Sequence, residues 1–135
     1  YTAGHTNQRM MIDPTGNVGI GVTGPSLQLE VQKALRSGVN TVTYSATPTF
    51  DARLGNTQKL TLTGNVTSST LSNAQAGEHL WFIIIQDATG GRTFVWPTNV
   101  KGGMTIGANP NEVSAQEFIF DGTNARAVTP GVVTT

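Results

Sequence analysis

Few groups in this 135-residue chain could do chemistry. Its carboxylates are Asp13, Glu30, Asp51, Glu78, Asp87, Glu112, Glu117 and Asp121. Glycoside hydrolysis needs two carboxyl groups about 5–10 Å apart across a cleft, and no spacing here pairs any two. Asp13, Asp87 and Asp121 sit among turn-forming residues, where an aspartate bonds its own backbone. The histidines are His5 and His79. A triad needs a nucleophile, a histidine and an orienting group that converge, and neither histidine comes with a nucleophile-elbow signature. Three copies of one histidine around a three-fold axis could bind a metal, but an ordinary surface or packed histidine is the favoured reading. Gly19 and Gly21, in Gly16-Asn17-Val18-Gly19-Ile20-Gly21, mimic a phosphate loop. A dinucleotide fingerprint needs a helix next; Gly24-Pro25 and an alternating strand follow instead. The expectation is no catalysis, no metal and no cofactor.

Binding is the remaining chemistry. The aromatic residues are Tyr1, Tyr44, Phe50, Trp81, Phe82, Phe94, Trp96, Phe118 and Phe120. Trp81 lies inside an apolar run and reads as core. Trp96, ahead of Pro97-Thr98-Asn99, is the better candidate for a contact, though alternation with Phe94 could bury both. Recognition concentrates on loops held by a rigid scaffold. The polar loops place Arg92, Asn99, Lys101, Asp121, Asn124 and Arg126 among the candidate contacts. The ligand-binding set is therefore Trp96, Asn99, Arg92, Asp121, Asn124 and Arg126, although an ordinary solvated turn is the favoured reading of each polar residue among them taken singly.

The elements that must position these groups read as β throughout. Arg9 to Asp13 is a short strand, Asp13-Pro14-Thr15-Gly16-Asn17 a turn, Val18 to Val22 a strand, and Leu27, Leu29 and Val31 mark a half-buried strand. Lys33 to Gly38 is a helical turn or an irregular link. A domain boundary near Gly38 gives a shaft-like segment over 1–38 and a main domain over 39–135. Val42, Tyr44 and Ala46 alternate with polar residues, Phe50 and Leu54 are expected core, and Leu60 and Leu62 alternate with threonines. His79 to Ile85 is a continuous apolar run, either buried on both faces or facing a core on one side and a subunit contact on the other. Arg92 to Trp96 is a strand. Glu117 to Phe120, the Asp121–Asn124 turn and Ala125 to Val128 form a hairpin. Short strands separated by turns at this spacing predict a β-sandwich or jelly-roll-like domain.

Composition narrows the partners. Only 12% of residues are charged, about half the ~25% usual in soluble domains. The formal net charge is zero, so there is no basic stripe for nucleic acid and no basic patch for an acidic membrane surface. Without cysteine there is no disulfide framework and no thiolate metal site, and stability must come from packing or oligomerisation. No apolar run approaches the ~18 residues of a membrane span, and no signal peptide is visible. The chain begins inside a strand-like pattern, as a fragment of a longer protein would.

Val18-Gly19-Ile20-Gly21-Val22 alternates β-branched residues with glycine. A bare glycine face weakens a strand unless something approaches it closely, and a second copy about a symmetry axis would do so. Val18, Gly19, Ile20, Gly21 and Leu29 are thus the expected contact with that copy, which the resemblance described next implies to be a trimer interface. The segment RMMIDPTGNVGIGVTGPSLQLEV resembles a segment of bacteriophage tail fibres and tailspikes. LGNTQKLTLTGNVTSSTLSNAQAGEHLWFIIIQDATGGRTFVWPTNV, with FIFDGTN, is similar to a distal domain of phage tail fibre proteins. Three departures stand out. Val22-Thr23-Gly24 replaces Thr-Thr-Ser, Ala125-Arg126 follows the DGTN turn where an aromatic is common, and no self-cleaving chaperone domain is recognisable.

The resemblance implies an all-β homotrimer: a short intertwined shaft-like segment followed by a sandwich domain. It would sit in the virion tail, be made in the host cytoplasm, and be joined to upstream tail fibre proteins. It would attach the virion to a bacterial surface glycan or protein by multivalent binding. The alternatives are a structural spacer or trimerisation domain without receptor binding, or a polysaccharide depolymerase. Neither nucleic-acid binding nor membrane insertion is expected.

Overall fold

A computed structural model describes residues 10–135; Tyr1, His5 and Arg9 lie outside the described residues. It is all-β, with one short 3₁₀ turn, Ala52–Leu54. Two compact units divide between Arg36 and Ser37.

The N-terminal unit is a three-stranded sheet of β1 (Met10–Ile12), β2 (Val18–Ile20) and β3 (Leu29–Val31). The β1–β2 hairpin is antiparallel, and β2 pairs β3 in parallel. The hairpin exists because Asp13 organises its turn. Its Oδ1 accepts from the Thr15 and Asn17 N–H groups at 2.8 and 2.9 Å, and the Asp13 N–H donates to the Asn17 carbonyl at 2.9 Å. The register puts Met10, Ile12, Val18, Ile20, Leu29 and Val31 on one face. Met10, Ile12, Ile20 and Leu29 are exposed there, at 61, 64, 44 and 57%. Gly19 is on the other face and buried. A Cβ at Gly19 would lie 2.6 Å from the Val22 carbonyl oxygen and 3.4 Å from Pro25 Cγ. The chain's own return past Pro25 therefore supplies the close neighbour that was expected from a second copy. The strands pair within one chain, so an intertwined arrangement is not needed to form them.

The second unit overturns the expected sandwich. Its strands are β4 (Val39–Val42), β5 (Thr49–Asp51), β6 (Thr57–Leu62), β7 (Thr70–Ser72), β8 (His79–Gln86), β9 (Val100–Lys101), β10 (Val113–Phe120), β11 (Ala125–Ala127) and β12 (Val132–Thr134). β4, β6 and β8 stack in parallel, with Val39 against Thr57 and Thr57 against Trp81. Between them the chain crosses to a second layer, where β5 and β7 are also parallel. The result is a β-solenoid of about four turns. A sandwich or jelly roll is built of antiparallel neighbours. Parallel neighbours need a crossover of a dozen or more residues; here the crossover is itself extended chain of the second layer, with no helix. Apolar alternation and turn spacing report that a strand has a buried face but say nothing of its direction. The stack ends in antiparallel pairs: β10 joins β8, and β11 and β12 join β10.

The core fills the space between the layers. Phe50, Leu60, Leu62, Val66, Leu80, Phe82 and Phe118 are fully buried. Leu54, expected in the core, is exposed on the 3₁₀ turn. Three inward glutamines brace the coils that are not strands. Gln58 Nε2 donates to the Asp51 and Gly55 carbonyls at 3.1 and 2.6 Å. Gln116 Nε2 donates to the Gly102 and Thr129 carbonyls at 3.0 and 2.8 Å, and its Oε1 accepts from the Met104 N–H at 2.7 Å. Gln86 does the same at the third turn. Among the described residues no buried side-chain nitrogen or oxygen lacks a partner, which is the condition for burying amides at little cost. No described helix is long and apolar enough to cross a membrane.

Candidate functional site

The second layer is not zipped along its whole length. Residues 92–96, expected as a strand, are extended but carry no ladder. On one side they hold the preceding turn: the Val66 N–H donates to the Thr93 carbonyl at 2.9 Å, and Ser69 Oγ to the Val95 carbonyl at 2.6 Å. On the other side run residues 103–108. Among the described residues the only backbone bond across this seam is Gly91 N–H to the Ala108 carbonyl, 2.7 Å. Side chains do the rest. Gln86 Nε2 donates to both the Arg92 and Gly107 carbonyls at 2.8 Å, and its Oε1 accepts from the Arg92 N–H at 3.0 Å. At the far end Trp96 Nε1 donates to the Met104 carbonyl at 2.8 Å. Between these two braces a cleft of about 460 Å³ opens, lined by Arg92, Thr93, Phe94, Trp96, Met104, Thr105 and Ile106. That volume is in the range of small-molecule sites.

The cleft has a fixed charge pair at its rim. Arg92 Nε and Nη2 donate to Asp87 Oδ2 at 3.1 and 2.9 Å. Asp87 Oδ1 meanwhile accepts from the Thr89 and Gly90 N–H groups. Arg92 first, then these backbone donors, hold the Asp87 carboxyl below its ordinary range. The pair is neutral overall, so the site does not select for anions. Its floor is aromatic and apolar. Trp96 meets Phe94, Phe82 and Phe118 at ring centroids of 5.0, 5.4 and 5.4 Å. A Cβ on Gly103 would lie 2.6 Å from the indole Cγ, so only glycine lets the chain run across that ring. Trp96 is a half-buried wall rather than an open stacking face.

The structure separates the expected ligand set into two places. Arg92 and Trp96 share the cleft. Asp121, Asn124 and Arg126 meet at the β10–β11 turn, and Asn99 lies beside them, its carbonyl accepting from the Ala125 N–H at 2.8 Å. Asp121 Oδ1 accepts from the Asn124 and Thr123 N–H groups, and Oδ2 pairs with Arg126 Nε. The Asn124 and Thr123 backbone donors, then Arg126, hold the Asp121 pKa down at about 2. Asn99 Nδ2 is spent on the Leu71 carbonyl at 3.2 Å. Lys101 Nζ donates to the Thr98 carbonyl at 2.7 Å. Of the expected trimer set, Val18, Ile20 and Leu29 share the open face of the N-terminal sheet, and Gly19 is covered by its own chain.

Sequence reasoning missed Gln86, Asp87, Phe94, Met104 and Thr105 at the cleft. The available signal was Gln86 itself, a polar residue on the inward parity of an apolar strand. Trp81, read as core, is 42% exposed on the outer face of the sheet. Each of the eight carboxylates bonds a neighbour in its own loop or strand pair, down to Glu30 with Ser26 and Glu112 with Asn109. Among the described residues no three His, Cys, Asp or Glu groups cluster as metal ligands.

A family model described as "Putative phage tail fibre C-terminal domain" matches residues 39–125. Comparison with curated proteins and with solved structures gave no match. The matched residues run from the first strand of the solenoid to the first residue of β11, close to two thirds of the chain. The chain belongs to the phage tail fibre C-terminal domain family.

Proposed function

We propose that this domain attaches the virion to a bacterial surface receptor, a glycan or an outer-surface protein, and that it does so as a homotrimer. The observation that carries the reading is the seam between the third and fourth turns. A cleft of about 460 Å³ has an apolar aromatic floor, threonine hydroxyls on its rim and one guanidinium locked by Asp87. Such a site orients a neutral, polyhydroxylated or peptide-like ligand by a few fixed donors and holds it by its apolar side. It acts by binding, since its one carboxylate is already paired with Arg92.

Three linked copies raise effective concentration, so weak individual contacts suffice. The exposed face of Met10, Ile12, Ile20 and Leu29 supports association, because monomers rarely leave so continuous an apolar face in water. The ligand set retained for test is Arg92 and Trp96 at the cleft, and Asn99, Asp121, Asn124 and Arg126 at the β10–β11 turn.

The test is adsorption of the purified chain to host cells, with glycan arrays in parallel. Binding that Thr105→Trp abolishes, with circular dichroism unchanged, supports attachment through the cleft. Binding lost instead in Arg126→Ala moves the site to the β10–β11 turn. A chain that associates yet stays blank on cells and arrays is a spacer of the tail.

A further inference from the structure

Gln86 stands in for a strand residue at the seam. Its Oε1 accepts from the Arg92 N–H at 3.0 Å, and its Nε2 donates to the Arg92 and Gly107 carbonyls at 2.8 Å each. The two bonds to Arg92 are the pair that a facing residue makes in an antiparallel ladder. A carboxamide imitates that residue because its C=O and one of its N–H groups lie side by side in one plane.

The next rung is empty. Along an extended chain the main-chain groups of successive residues turn to opposite edges. Thr93 and Val95 turn theirs to the preceding coil, where the Thr93 carbonyl accepts from the Val66 N–H and the Val95 carbonyl from Ser69 Oγ. Arg92 and Phe94 therefore turn theirs to the seam. Gly91 bonds Ala108, and Arg92 shares Gln86 with Gly107, so the antiparallel count sets Phe94 opposite Thr105. Among the described residues the main-chain N–H and C=O of Phe94, and those of Thr105, have no hydrogen-bond partner. Both residues line the cleft.

Both ends of the cleft are narrow. One nitrogen, Gln86 Nε2, reaches both walls, so at that end they stand no more than two hydrogen bonds apart. At the other end the Trp96 indole N–H reaches the Met104 carbonyl. A strand laid between two others needs two spacings of ~4.8 Å, which these ends do not give. A trans secondary amide, as in a peptide link or an N-acetyl sugar, holds its N–H and C=O on opposite sides. It can offer Phe94 only one of the two bonds.

We propose that the cleft takes a primary carboxamide, the asparagine or glutamine side chain of a receptor loop. Its oxygen accepts from the Phe94 N–H, and its nitrogen donates to the Phe94 and Thr105 carbonyls, as Gln86 does at the rung before. The aromatic floor takes the methylene stem of that side chain. This rests on the attachment reading and narrows the receptor to a protein.

The test is titration of the full chain with acetamide, N-methylacetamide or glucose, following the Phe94 and Thr105 amide signals by nuclear magnetic resonance. Acetamide is expected to shift both saturably. N-methylacetamide should bind about fivefold more weakly, having lost one hydrogen bond, and glucose should not saturate. Thr105→Trp, which fills the cleft, should abolish the acetamide shift at Phe94. No saturable shift with acetamide, while Thr105→Trp still abolishes adsorption to host cells, overturns the carboxamide and leaves attachment through the cleft standing. A saturable shift with adsorption untouched by Thr105→Trp upholds the carboxamide site and overturns attachment through it. N-methylacetamide or glucose binding as tightly as acetamide overturns the proposal in favour of an acetamido or a hydroxyl ligand.

Discussion

The N-terminal sheet and the solenoid solve the same problem in opposite ways. Both are short strands from a chain with little charge. In the solenoid the apolar parity points inward, phenylalanines meet edge to face, and three glutamines supply the bonds that irregular coils would otherwise lack. In the N-terminal sheet the apolar parity points out, and only the glycine face is covered, by the chain's own Pro25. The solenoid encloses its own core. The other unit is well formed locally, through Asp13, yet among the described residues its apolar face stays exposed. Self-sufficiency is thus set by the layer count: a single sheet of three short strands has nowhere to bury its second side.

The comparison breaks most visibly at Phe82. It touches Phe50, Trp96 and Phe118 at 5.1, 5.4 and 5.5 Å and is fully buried. Phe82→Ala should cost about 3–5 kcal/mol, read by urea unfolding of the full chain. Gln86→Leu comes next. It keeps the volume near constant but strips partners from the Arg92 N–H and from the Arg92 and Gly107 carbonyls. Unsatisfied buried groups cost ~1–3 kcal/mol each, and partial access to water at the seam keeps the expected loss at about 2–3 kcal/mol. If Gln86→Leu is neutral, the glutamine braces are incidental and the coils are held by packing alone.

Two changes in the N-terminal sheet sharpen the contrast. Gly19→Ala drives a methyl against the Val22 carbonyl, a backbone atom that must move, at a cost of ~1–3 kcal/mol. Ile20→Ser, on the open face of the same strand, should change the stability of the isolated protomer by less than ~0.5 kcal/mol. Its effect belongs to association, and sedimentation on dilution should show it. A large loss of protomer stability from Ile20→Ser would mean that the open face is covered by the chain itself.

What the sequence disclosed follows the same line. Strand parity was legible wherever it was strict: Leu60 and Leu62, Phe118 and Phe120, and the Asp121–Asn124 turn lie as their alternation and turn chemistry require. The solenoid was not legible, because β6 and β8 would show the same alternation in an antiparallel sheet. The seam was not legible either. Its opening depends on which of two adjacent coils fails to pair, and that is decided by Gln86 and Trp96 bonding to backbone several residues away. Trp81 departs from its expected environment for a simple reason. Trp81 sits in a more apolar run than Trp96, but its parity along β8 is outward, and a local average of hydropathy carries no parity.

Acid should reach the solenoid and the hairpin turn together. Asp13 belongs to the N-terminal sheet, and Asp51, Asp87, Glu112 and Asp121 to the solenoid; all five carboxyls are held below their ordinary values. The largest cause differs: a hydrogen bond from Thr15 at Asp13, from Asn73 at Asp51, from Arg92 at Asp87, from the Asn109 side chain at Glu112, and from the Asn124 backbone at Asp121. A depressed pKa means the folded state binds fewer protons than the unfolded one, so stability rises with pH through that range. The contribution is complete above the ordinary values of 3.8 for aspartate and 4.5 for glutamate, and is lost as pH falls toward the folded values, about 2 for Asp121. Tm is therefore expected to be flat from about pH 7 to 5 and to fall steadily below about pH 4.5. Asp121→Asn should shallow that fall and leave Tm near neutral pH slightly lowered, because an amide oxygen still accepts from Thr123 and Asn124 but no longer pairs with Arg126. A Tm that instead rose on acidification would mean that these carboxylates repel one another more than their loops hold them, and the local bonding on which both units rest would not be what stabilises the turns.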